Sequence, residues 1–108
     1  MSAKSIAIAE TLLDIEKELR GLQLWDFEMP SQEALSSTLP FSVDTLNFPQ
    51  WLQFIFLPRL TILLEQSASL PTYCGVAPMA EQYFQVLSVD SVAIIAHLQK
   101  IDTLLSEK

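Results

Sequence analysis

The stretch from Asn47 to Gln66, NFPQWLQFIFLPRLTILLEQ, is the most apolar part of the chain and constrains everything around it. Wound at about 100° per residue, Leu52, Ile55, Phe56, Leu57, Leu60, Ile62, Leu63 and Leu64 cover most of a helical circumference. A helix that is apolar on nearly every side must be wrapped by other helices. The narrow remaining stripe holds Asn47, Gln50, Phe54, Pro58, Thr61 and Glu65 and is expected to face water. Pro58 lacks an N–H and leaves the carbonyl of Phe54 without its helical partner, which predicts a kink. Arg59 falls between Leu52, Ile55 and Leu63. It must therefore reach water along its stem or meet a carboxylate, with Asp44, Glu81 and Asp90 as the candidates.

The rest of the chain can supply the wrapping. Of 108 residues, 50% are apolar and only two are glycine, which suits a single folded domain over residues 1–108 rather than a disordered chain. Apolar residues rarely alternate with polar ones and often recur at helical spacing. The expected fold class is all-α, an up-and-down bundle of about four helices around the buried central one.

Charge narrows the partners. The formal net charge is −7, and Lys4, Lys17, Arg20, Arg59, Lys100 and Lys108 are scattered. A surface for a phosphate backbone needs clustered Lys and Arg, so the sequence argues against direct nucleic-acid or anionic-membrane binding. The lone cysteine, Cys74, can form no internal disulfide and fits a reducing, cytoplasmic setting. Glu10 and Asp14 interrupt the apolar start, which argues against a signal peptide. Gln53, Arg59, Thr61 and Glu65 break the central segment well short of the ~20 apolar residues a membrane span requires.

Ile8, Leu12, Ile15, Leu19 and Leu22 lie on one face of a first helix expected over 4–24, with a Glu16–Arg20 pair beside them. Glu10, Asp14 and Glu18 form a solvated acidic ridge, and Ile6, Leu13 and Leu24 lie off the core face, where they could serve a homodimer. Ser31 is placed to cap a short helical turn, and Phe41, Val43 and Leu46 to plant the following loop on the core. That loop is long, and such loops are usually functional or tied down. Asn47 or Phe48 then opens the central helix, with Pro49 near its first position. Pro78 begins a short helix carrying Met79, Tyr83, Phe84 and Leu87. A last helix, capped by Ser88 or Asp90, presents Ile94, Leu98, Ile101 and Leu105 to the core, with His97 at the boundary.

Catalytic partners are missing. His97 lies mid-helix and Cys74 in a loop, with no signature joining them as base and nucleophile. Two such residues cannot make a zinc cluster, no Glu stands three before His97 for a di-iron bundle, and Gly21 and Gly75 are too isolated for a phosphate loop. The expectation is a protein that is not an enzyme, with no cofactor and no metal.

Ser37-Thr38, Pro40-Phe41, Asp44-Thr45, Phe48 and the run Trp51 to Arg59, followed by Val76-Ala77-Pro78 and Glu81, resemble the YqcC family of small bacterial proteins. The likeness extends over the whole chain in length and helix order. Leu39, Leu46 and Leu60 stand where the family pattern has Gln, Met and Met, so a role for an amide at position 39 is lost. The resemblance implies an all-helical domain of unknown function. It also implies an association with tRNA pseudouridine synthase C, whose gene tends to lie beside those of the family.

Two functions follow as expectations. One is an adaptor that binds another protein, such as a tRNA pseudouridine synthase, through Phe54, Pro58 and Thr61 and the loop bearing Phe41 and Asp44. The alternative is a binder of a small anionic ligand in a pocket near Arg59, walled by Trp51 or Tyr83.

Overall fold

The computed structural model describes residues 2–71 and 75–106; Cys74 and Lys108 lie outside them. The first helix, α1, runs Ala3–Gly21, with the Ser2 side chain accepting from the Ser5 N–H at its start. Ile8, Leu12, Ile15 and Leu19 are buried as their spacing requires, and the Glu16–Arg20 ion pair closes at 3.1 Å. The helix stops earlier than expected. Gln23 takes φ 62°, so its N–H reaches the Arg20 carbonyl and the Leu24 N–H reaches that of Leu19. This left-handed termination satisfies carbonyls that the helix end leaves free. The Arg20 guanidinium then stacks 4.4 Å from the centre of the Trp25 ring.

Ser31 caps the single turn α2, Gln32–Leu35, by accepting from the Ala34 N–H. The loop after it is tied down. Thr45 donates to the Ala34 carbonyl at 2.7 Å, Ser37 donates to Asp44, and a 3₁₀ turn spans Pro40–Ser42. Leu46 is buried and Phe41 half-buried, but Val43, expected on the core, is 54% exposed. The tight turn leaves it on the outer side of the loop.

The central segment is three pieces. Helix α3, Phe48–Trp51, opens with Asn47 and Gln50 capping each other reciprocally. A π-turn over Leu52–Phe56 follows, in which the Leu57 N–H donates to the Leu52 carbonyl five residues back. Helix α4, Leu57–Glu65, completes the segment and is followed, as α1 is, by a left-handed residue, here Ser67. In a regular helix the Pro58 ring would collide with the Phe54 carbonyl. The wide turn opens the coil there, which answers the expected kink.

Helix α5, Val76–Phe84, begins two residues before Pro78, after Gly75 at φ 62°. Its first amides are held from elsewhere: Asp102 accepts from the Val76 N–H at 3.1 Å and from the Ala77 N–H at 2.8 Å. Asp102 sits on α6, Val92–Ser106, whose Ile94, Leu98, Ile101 and Leu105 are all buried. Helix α6 packs against α1 and α5, and α4 against α1. The fold is all-α, with no strand among the described residues.

The central segment is not buried on every side. Leu52, Phe56, Leu57, Leu60 and Leu64 are in the core, but Ile62 is 50% exposed and Arg59 is exposed. Because the π-turn absorbs one residue, a wheel drawn at a constant angle misassigns the faces beyond it. Ile62, expected in the core, is displaced to the surface in this way.

Candidate functional site

The same inserted residue builds a site. Phe56, Arg59 and Leu63 stand five, eight and twelve positions after Trp51, which no single α-helical face brings together. With one residue absorbed by the π-turn, the spacings become those of one face, and Leu60 joins them. Trp51 and Phe56 stack accordingly, ring centres 5.2 Å apart. These side chains floor a groove of about 450 Å³, walled on one side by Pro40 and Phe41 and closed by Pro71. Arg59 stands at its rim.

Phe41 is held there at some expense. It has φ 57° and Ser42 φ 51°, two successive non-glycine residues in the left-handed region. Each such residue costs on the order of 1–3 kcal/mol and persists only where its surroundings determine it. Here the strained turn delivers the Phe41 ring edge-on to Trp51, centres 4.8 Å apart.

Arg59 makes no ion pair among the described residues. The three candidate carboxylates are engaged elsewhere: Asp44 with the Ser37 hydroxyl, Glu81 with the Gln99 amide, Asp90 with the Val92 N–H. Arg59 therefore follows the other course, reaching solvent, where it borders apolar walls with its donors free of any carboxylate of the described chain.

Of the residues singled out from sequence, the structure brings Phe41, Trp51 and Arg59 to this groove and leaves Asp44, Phe54 and Pro58 off it. Asp44 braces its loop; Phe54 is half-buried, and Pro58 and Thr61 are exposed on another side. Tyr83 belongs to a separate aromatic cluster, 5.9 Å from Phe48 and 5.2 Å from Phe84. Sequence reasoning missed Phe56, Leu60 and Leu63 as groove residues. The signal was their spacing from Trp51, read with a residue inserted ahead of Pro58.

A second surface went unforeseen. Gln53 is buried, and its amide exchanges hydrogen bonds with the Asp26 backbone: Asp26 N–H to Oε1 at 2.8 Å, Nε2 to the Asp26 carbonyl at 2.7 Å. The loop so pinned presents Phe27 at 92% and Met29 at 72% exposure. Among the described residues no three His, Cys, Asp or Glu side chains gather as a metal site, and no helix is long and apolar enough to cross a membrane.

Residues 7–104 match the family model DUF446, described as tRNA pseudouridine synthase C. This chain belongs to the YqcC-like family. Within the family it is 33% identical over 93 residues to the uncharacterized protein YqcC of Escherichia coli strain K12, covering 86% of this chain and 85% of that one. The solution NMR structure of E. coli YqcC matches with a TM-score of 0.85 at 30% identity, over 98% of this chain and 91% of that one. A protein of Pectobacterium carotovorum subsp. carotovorum named tRNA pseudouridine synthase C is 43% identical over 70 residues. That stretch is 62% of this chain but only 19% of the Pectobacterium protein. Most of that longer relative thus lies outside the family likeness.

Proposed function

We propose that this chain is a non-catalytic accessory domain that binds another protein, and that its partner is a tRNA pseudouridine synthase. One observation carries the reading: a family segment occurs inside a much longer protein bearing that enzyme's name. Two modules on one chain meet at high effective concentration without any strong contact, whereas the same modules on separate chains need an interface to stay together. The division of labour suits the composition. A chain of net charge −7 is ill suited to hold tRNA and its sequence carries no signature joining a nucleophile to a base, so both tasks are assigned to the partner in a shared cytoplasmic setting.

The test is direct. The purified chain and the synthase of the same organism are mixed and followed by size-exclusion chromatography and calorimetry, with pseudouridine formation measured alongside. A defined complex is expected, and two independent elution peaks with no heat of mixing would refute the reading. A second reading, a small anionic ligand beside Arg59, is favoured by the groove's volume, which falls in the range of ligand sites. Its weakness is the open wall: such sites enclose most of their ligand, and here Pro40 and Arg59 are exposed and Phe41, Leu63 and Pro71 half-exposed.

A further inference from the structure

We propose that the groove over Trp51 is the docking site for a segment of the protein partner that carries a carboxylate beside a large apolar side chain. The inference rests on the accessory-domain reading and adds to it the place and the chemistry of contact.

Three features converge. The floor is apolar and aromatic, with Trp51, Phe56 and Leu60 buried beneath it. Its walls stay open, so it can take a side chain projecting from a larger surface rather than swallow a free molecule. At its rim Arg59 offers a planar fork of donors that matches a carboxylate and makes no ion pair with any carboxylate of the described residues. Trp and Arg are the residue types that dominate binding energy at interfaces when they flank a desolvated pocket. The chain is otherwise strongly acidic, so a carboxylate approaching it is repelled over most of the surface. The pairing of apolar floor and cationic rim thus selects both what enters and in which orientation. The strained Phe41–Ser42 turn gives the same emphasis: it holds an aromatic wall in place against its backbone preference.

The experiment uses the full chain immobilised and a random peptide library displayed on phage. Retained peptides are expected to carry Asp or Glu close to Leu, Ile, Phe or Met. The variant Arg59→Glu, at an exposed position and checked for its fold by circular dichroism, should bind them roughly tenfold to a hundredfold more weakly. Selection on that variant should instead yield Lys or Arg at the acidic position, while Arg59→Lys keeps part of the original binding. In parallel, the synthase is titrated with wild type, Arg59→Glu and Phe27→Ser. Peptides without acidic residues, or peptides held equally by Arg59→Glu, would overturn the proposal. So would a groove whose amide resonances answer only to a free carboxylate such as octanoate while no peptide is retained. A synthase complex indifferent to Arg59→Glu but lost with Phe27→Ser would move the interface to the Asp26 loop and leave the accessory role standing. Selection that depends on Arg59, with no synthase complex at all, would keep the groove and discard that partner.

Discussion

Replacing Gln53 by leucine isolates the tie between the central segment and the loop after α1. The substitution keeps an apolar body of similar size in a site only 7% exposed and removes both amide hydrogen bonds to Asp26. Each such bond contributes about 0.5–1.5 kcal/mol net, so the pair should be worth about 1–3 kcal/mol. The apolar gain of leucine offsets part of this, while the stranded N–H and carbonyl of Asp26 act the other way unless water reaches them. In a domain of this size each kcal/mol moves the midpoint by about 4–8 °C. The loss should appear in urea unfolding as a lower midpoint at unchanged slope. Hydrogen exchange locates it: the Asp26 amide should exchange much faster in Gln53→Leu, with amides in α1 and α6 slowed or hastened only as global stability dictates. The Gln50 side chain, which donates to Asp26 Oδ2 at 3.0 Å, remains to limit the loop's travel. An unchanged midpoint together with unchanged exchange at Asp26 would refute the reasoning.

Other perturbations separate buried from apolar. Leu60→Ala, at 1% exposure, should destabilise by about 2–5 kcal/mol, and Ile62→Ala, at 50%, by far less; equal urea midpoints would contradict the face assignment beyond the π-turn. Asn47→Ala breaks the reciprocal cap of α3 and should cost about 0.5–2 kcal/mol by thermal unfolding. Ser67→Gly relieves a left-handed serine and should raise the melting temperature, by up to about 1 kcal/mol in stability; a lower one would show the serine is unstrained. Asp102→Ala should cost about 1.5–3 kcal/mol or more and release the Val76 and Ala77 amides to fast exchange.

What could be read from the chain followed from short-range rules. The core faces of α1 and α6 each repeat within one uninterrupted helix, so spacing alone placed Ile8 through Leu19 and Ile94 through Leu105. Ser31 and Asn47 cap helices because their side chains bond amides three residues on, a relation visible in any window of four. The failures share one cause, a geometry set by more than the local repeat. The π-turn shifted every face after Leu52, exposing Ile62 and gathering Arg59 with Trp51. Gln53 looked like a polar interruption because its partner lies 27 positions earlier. Val43 went outward because a positive φ at Phe41 and Ser42 turned the loop, and nothing in their residue types announces it.

The carboxylate of Asp102 also orders events in time. Helix α5 is nine residues long, shorter than the ~12–15 at which an isolated helix becomes even marginal in water. Its opening amides depend on a side chain 26 positions further along the chain. As the ribosome delivers the polypeptide, α5 is therefore expected to gain this support only once α6 has emerged. Phe84, which α5 sets edge-on to Phe48, reaches its buried place only after that step, and apolar surface left open in the interval is what exposes a nascent chain to its neighbours.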